Sequence, residues 1–244
     1  MSRRHAAGWW GCRKRSTRNA GPTIVAVTKT KFCGITRLDD AELAVSAGAW
    51  AIGLIFWPRS PRRCEPDRAA EIAASVKRRA EVVGVFVNAT LDHVARTADG
   101  VGLTMVQLHG DEGPAYCAEA ARRTGCKVIK AARVHSRADV QALAAFHTDY
   151  HLLDSFTAGV PGGTGETFSW ELARRYGRAA HAVPVILSGG LTPDNVADAI
   201  AAVHPYAVDV ASGVELSPGR KDPGKLAAFA EAVRAATGAR IAAR

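Results

Sequence analysis

Eight short apolar runs, each followed by a longer amphipathic stretch, leave this chain few ways to fold. The runs are Lys29–Cys33, Ala51–Phe56, Val82–Val87, Met105–His109, Lys127–Ala131, His151–Asp154, Pro184–Ser188 and Ala207–Ala211. Val82-Val83-Gly84-Val85-Phe86-Val87 is continuously apolar, as parallel strands buried on both faces are. Helical periodicity fills the gaps at Asp39–Ala47, Pro66–Arg78, Leu91–Ala98, Pro114–Thr124, Ala138–Phe146, Ser169–Ala180, Pro193–Val203 and Pro223–Thr237. Thr192-Pro193 predicts a capping hydroxyl ahead of a proline at the first helical position. Thr124-Gly125 and Thr237-Gly238 predict helix ends at glycine.

Strict βα alternation with eight of each predicts a (β/α)8 barrel over residues 23–244. The competing architecture is a doubly wound open sheet, but no GxGxxG follows the first strand. A length of 244 residues suits one barrel, and no linker or repeat divides residues 23–244.

The net charge of +9 sits largely at the front. Residues 1–22 hold Arg3, Arg4, Arg13, Lys14, Arg15 and Arg18 with no Asp or Glu; the remaining 26 basic residues face 23 acids. The first 22 residues are therefore expected to form a basic, disordered extension to a near-neutral body. A basic arm for nucleic acid is the alternative reading. Ser2-Arg3-Arg4 resembles a twin-arginine signal only loosely, because the apolar stretch after it is short and runs into more basic residues. No apolar run is long enough for a transmembrane helix, so no membrane partner is expected. Five scattered cysteines without CxxC spacing argue against a disulfide framework or zinc site and suit a reducing cytoplasm.

In a barrel the active site is built at the C-terminal ends of the strands. Strand one ends in Lys31-Phe32-Cys33-Gly34, where Cys33 is either a thiolate base or nucleophile or a small core residue. Strand two leads to Arg59, Arg62 and Arg63, an anion fork or a solvated loop. Gln107 and His109 share one face of strand four. Asp154 ends strand six as a candidate general acid and precedes the loop Gly162, Gly163, Thr164, Gly165, placed to close over a substrate. Gly189 and Gly190 after strand seven, with Ser212 and Gly213 after strand eight, stand where this fold usually binds phosphate through backbone amides.

Together these blocks resemble the phosphoribosylanthranilate isomerase family of tryptophan biosynthesis over residues 29–235. The carriers are Lys31–Thr36, Pro58–Arg62, Gly84–Asn88, Gln107–Gly110, Leu153-Asp154 with Gly162–Phe168, Leu187–Leu191 and Val208–Glu215. The resemblance implies an aldose–ketose isomerisation (an Amadori rearrangement) of phosphoribosylanthranilate with no cofactor and no metal. It implies Cys33 as general base, Asp154 as general acid and Arg62 as partner of the anthranilate carboxylate. Gly189, Gly190, Ser212 and Gly213 match the phosphate loops, and the segment after strand six matches the closing loop. Gln107, His109 and Asp209 are expected at the substrate or in the shell around the acid and base. Glu166, Ser169 and Arg63 depart from the family's usual residues. The resemblance implies a monomer or a homodimer.

Two kinds of rival stand beside this reading. Another phosphosugar barrel is one: a lysine–glutamate synthase has only Lys130 for its lysine, and a metal-dependent epimerase has only His109, Asp154 and Asp209. Nucleic-acid binding through the N-terminal arm is the other. Removing residues 1–22 should leave turnover of a small phosphorylated substrate within about twofold, since the charge left behind is near neutral. Salt-sensitive RNA or DNA binding that disappears with those residues, together with lost turnover, would reverse the assignment.

Overall fold

The computed structural model describes residues 27–134, 136–154, 165–177 and 183–242, with the backbone alone described over 165–169 and 239–242. Its eight principal strands are β1 (Lys29–Cys33), β2 (Ala51–Ile55), β3 (Glu81–Phe86), β4 (Met105–Leu108), β5 (Lys127–Arg133), β6 (Tyr150–Asp154), β7 (Val185–Ser188) and β8 (Ala207–Val210). They close in sequence order into one parallel barrel, β8 returning to pair with β1 with Lys31 opposite Asp209. The helices between them are α1 (Leu38–Ser46), α2 (Pro66–Val76), α3 (Leu91–Val101), α4 (Pro114–Thr124), α5 (Arg137–Ala142), α6 (Gly165–Gly177), α7 (Val196–Val203) and α8 (Pro223–Ala242). The architecture is the (β/α)8 barrel that the alternation predicts.

Strand parity divides the apolar residues into two bodies. Residues such as Phe32, Ile52, Leu54, Phe86, Val106, Leu153 and Val208 face outward and pack under the helices. Ala51, Val83, Met105, Ile129, Leu152, Ile186 and Ala207 fill the smaller barrel interior. Successive side chains on a strand point to opposite faces, so the hydrophobic runs serve both cores at once.

Several helix boundaries differ from the sequence reading, each for a local reason. The helix expected from Pro193 begins at Val196, because the chain first turns around Asn195. That side chain accepts a hydrogen bond from Thr192 N (2.8 Å) and donates one to Gly190 O (3.0 Å), so it folds the loop in place of a Thr192 cap. Gly238 does not end the last helix, which runs on to Ala242; Gly238 lacks a positive φ, and a helical glycine costs only about 1 kcal/mol. Gly125 does end α4, with φ 66°. The expected helix over 138–146 is a short α5, held by a Ser136–Asp139 capping box, followed by a 3-10 turn at Leu143–Ala145. After β8 the chain adds a 3-10 turn (Ser212–Val214) and a small hairpin, β9 (Glu215–Ser217) with β10 (Arg220–Lys221), which the apolar pattern does not reveal.

His151 on β6 is fully buried outside the barrel. Its Nε2 donates to Phe146 O (3.2 Å), so Nδ1 accepts from the Tyr176 hydroxyl and the ring is neutral. Burial pushes its pKa down to about 4 from 6.5, against the raising effect of the Phe146 carbonyl. The unfolded chain then binds the extra proton first, so this group's contribution is complete above about pH 6.5 and declines as pH falls toward 4. Urea unfolding should show a stability loss on the order of 2–3 kcal/mol across that window, removed in His151→Gln. An identical pH slope in both proteins would contradict the assignment.

Candidate active site

Parity that fills the barrel with apolar side chains near the strand starts delivers polar ones at their C-terminal ends. Lys31 and Cys33 on β1 and Gln107 on β4 share the inward-facing parity, as do Asp154 on β6, Ser188 on β7 and Asp209 on β8. Barrel closure therefore gathers at one mouth residues separated by more than 170 positions in the chain.

Cys33 is buried, and its neighbours are charged. A Cβ added at Gly53 on β2 would lie 2.7 Å from Cys33 Sγ and 3.2 Å from Lys31 Nζ, so the missing side chain of Gly53 makes room for thiol and ammonium together. Lys31 Nζ donates to Asp209 Oδ1 at 2.8 Å, and Ser188 Oγ donates to the other carboxylate oxygen at 3.3 Å. Burial pushes the Cys33 thiol above its ordinary value, while Lys31 and Lys221 pull against it and Asp209 adds to it.

A second chain of contacts ends at the expected acid. Gln107 Nε2 lies 3.0 Å from His109 Nδ1, and His109 Nε2 lies 3.6 Å from Asp154 Oδ2. An amide nitrogen only donates, so His109 Nδ1 accepts and its Nε2 carries the hydrogen that faces Asp154. Gln107 is 1% exposed, with its Oε1 unpartnered among the described residues. In this arrangement Gln107 orients His109, and His109 faces the carboxylate.

The two glycine turns meet in one cavity of about 150 Å³, lined by Asp154, Ser188, Gly189, Gly190, Asp209, Ala211 and Ser212. Gly189 (φ 97°) and Gly190 (φ 62°) adopt backbone conformations that L side chains rarely take. Gly213 is outside the lining, but any Cβ there would collide with the Leu191 carbonyl. The two loops are thus packed backbone to backbone, with their glycines at the seam.

Arg62 is held at the rim. Its Nε and Nη2 grip the buried Glu215 carboxylate at 2.8–3.0 Å, an edge-on fork that leaves its orientation fixed before any ligand arrives. Glu215 is shared with the buried Lys221, whose Nζ lies 2.9 Å from Oε1 and also donates to Cys33 O (2.6 Å) and Ala211 O (3.1 Å). Sequence reasoning missed Lys31, Glu215 and Lys221 as site residues. The available signal was the i, i+2 spacing of Lys31 and Cys33 in one strand. Glu215 and Lys221 lie on a hairpin with no strand-length apolar pattern to announce it.

Gly162, Gly163 and Thr164 of the expected closing loop lie outside the described residues, whereas Gly165 is the first residue of α6 rather than part of a loop. Lys130 has the outward parity and is bound by Glu112 (3.0 Å) and Gly110 O (2.7 Å), so it does not serve as a lysine in the mouth. Among the described residues no helix is long and apolar enough to cross a membrane.

Fold and site together define a class: a (β/α)8 barrel with a buried thiol, carboxylates and paired glycine loops at its C-terminal mouth. Residues 30–232 match the family described as N-(5'-phosphoribosyl)anthranilate isomerase. An N-(5'-phosphoribosyl)anthranilate isomerase of Citrifermentans bemidjiense is 52% identical over 203 residues, covering 82% of this chain and 94% of the relative. Among solved structures, monomers generated from the dimeric enzyme of Thermotoga maritima share 35% identity at a TM-score of 0.75, covering 85% of this chain and 99% of theirs. A phosphoribosylanthranilate isomerase in complex with reduced 1-(o-carboxyphenylamino)-1-deoxyribulose 5-phosphate shares 37% identity at a TM-score of 0.74, with the same coverage. The chain belongs to the N-(5'-phosphoribosyl)anthranilate isomerase family.

The Arg62–Glu215–Lys221 cluster has a pH signature. Burial alone would raise the Glu215 pKa, but Arg62 and Lys221 outweigh it and hold the carboxylate below its ordinary 4.5. Its contribution is therefore complete above about pH 4.5 and lost as pH falls through the lowered folded value. Glu215→Gln should cost roughly 3 kcal/mol at neutral pH by stranding Lys221, with the gap to the parent narrowing below about pH 4.5. A gap that stays constant with pH in urea unfolding would refute the pairing.

Proposed function

We propose that this protein converts N-(5'-phosphoribosyl)anthranilate to 1-(2-carboxyphenylamino)-1-deoxyribulose 5-phosphate, a step of tryptophan biosynthesis. Family membership over nearly the whole barrel supports the reaction. The observation that carries the site is the convergence of Cys33, Asp154 and both glycine turns on one barrel mouth.

In this reading the amides of Gly189 and Gly190, with Ser212 and Gly213, hold the phosphate without any lysine or arginine. Arg62, already oriented by Glu215, offers its remaining edge to the anthranilate carboxylate. These two anchors fix the ribose between acid and base, where remote binding energy serves the chemistry. Asp154 donates a proton to the furanose ring oxygen; the C1′–O bond breaks and the nitrogen lone pair forms a Schiff base. Cys33 then removes the C2′ proton, and the C–H electron pair neutralises the iminium as an enolamine. Tautomerisation to the ketone completes the rearrangement. All electrons stay within the substrate, so neither a metal nor an organic cofactor enters. Gln107 and His109 hold Asp154, and Asp209 acts through Lys31.

A single small molecule is the partner in this account, with no nucleic acid or membrane, in the cytoplasm. Homodimer or monomer both suit a site built within one barrel; the dimeric Thermotoga relative supports the first.

Substrate generated in situ and followed by loss of its fluorescence gives the test. Cys33→Ala and Asp154→Asn should each lower kcat about 10³-fold or more while the protein remains folded. Near-parental turnover in Cys33→Ala would remove the thiol from the mechanism.

A further inference from the structure

A buried thiol is a poor base, because burial disfavours its charged form. Something at the mouth must supply the opposing charge. Groups face Cys33 from every side: Lys31 on its own strand, Asp209 on β8, Lys221 on β10 with Glu215 behind it, and Arg62 packed over Gly34; β2 contributes only Gly53.

Two of these are lysines, and their donors separate them. An ammonium has three N–H groups. Those of Lys221 have three acceptors: Cys33 O, Ala211 O and Glu215 Oε1. Lys221 therefore fixes the backbone at Cys33 and keeps Glu215 charged. Lys31 gives one donor to Asp209 and sits beside the Cys33 sulfur over Gly53, two residues back on the same strand face. Asp209 is itself fixed by Ser188, the residue immediately before Gly189. The line Ser188–Asp209–Lys31–Cys33 thus spans three adjacent strands, from one glycine turn to the thiol.

We propose that Lys31 is a positioning residue for the isomerisation: its ammonium, gripped by Asp209, stands beside Cys33 as the countercharge that eases formation of the thiolate that abstracts the proton. Full burial keeps the ammonium out of competing water, and Asp209 keeps it charged despite that burial. Gly53 belongs to the same device, since any larger residue would displace thiol or ammonium. The proposal rests on the reading of Cys33 as general base.

Thiolate absorbance in the ultraviolet, taken as the difference between each protein and its Cys33→Ala counterpart, isolates the titration of Cys33 without substrate. Lys31→Met should move the midpoint up by about one pH unit or more. Lys31→Met strands the Asp209 carboxylate, so the double variant Lys31→Met with Asp209→Asn, which removes both buried charges, guards against misfolding. Its midpoint should also lie above that of the parent. In turnover, kcat at neutral pH should fall about tenfold and recover as pH rises, with KM within about twofold, and Lys31→Arg should restore part of the loss. Unchanged midpoints in the folded variants would overturn the proposal, as would a kcat loss that alkaline pH does not repair. Full activity in Cys33→Ala would instead defeat the assignment of the base. The titration would still decide whether Lys31 controls the thiol.

Discussion

The seam at which β8 closes on β1 is the constraint on which the site depends. Register there sets Lys31 opposite Asp209, and the two meet in a 2.8 Å ion pair with Lys31 wholly buried. Taking both charges out of water costs several kcal/mol per ion, and the attraction between them roughly offsets that. An apolar pair would close the barrel at least as well. The position of the pair, two residues below the Cys33 thiol and one hydrogen bond from Ser188, is better explained by chemistry than by stability.

Around this seam the mouth is divided by environment. The Cys33 side is buried and crowded with charge: the Lys31–Asp209 pair and the Lys221–Glu215 pair both lie about it, Lys221 bonded to the Cys33 carbonyl. The Asp154 side is more open, with Asp154 and His109 about one-fifth to one-quarter exposed and joined by one long contact. This division suits the proposed roles: a proton donor that must be replenished gains from access to water, whereas a thiolate base gains from a fixed countercharge. Between them the glycine turns offer amides in place of cations, so a phosphate group there would not draw the lysines away from the thiol.

Much of this was legible in the sequence. All eight barrel strands appear as apolar runs within a residue or two of their observed ends, because parallel strands buried on both faces leave an uninterrupted signal. Cys33 and Asp154 are readable from their places at strand ends and Gln107 with His109 from strand parity, whereas Asp209 enters only through the family resemblance. Helix starts were less legible where a loop side chain, as at Asn195, replaces the expected cap. The lysines of the mouth were the largest omission. Lys31, Lys221 and the acid Glu215 look like ordinary solvated charges, and their partners lie up to 188 positions away or on a hairpin of two- and three-residue strands. Only closure of the barrel turns them into a site. Arg62 reads as a fork for an anion, and the fork exists, but one edge is already occupied by Glu215.

A crystal structure of this protein with the reduced product analogue that a relative binds tests the central claim most directly. The account predicts the phosphate on the amides at Gly189–Gly190 and Ser212–Gly213, with Cys33 Sγ about 3–4 Å from the C2′ carbon. Asp154 should approach the sugar from the opposite side. A phosphate bound elsewhere, or a C2′ carbon beyond the reach of Cys33, would contradict it.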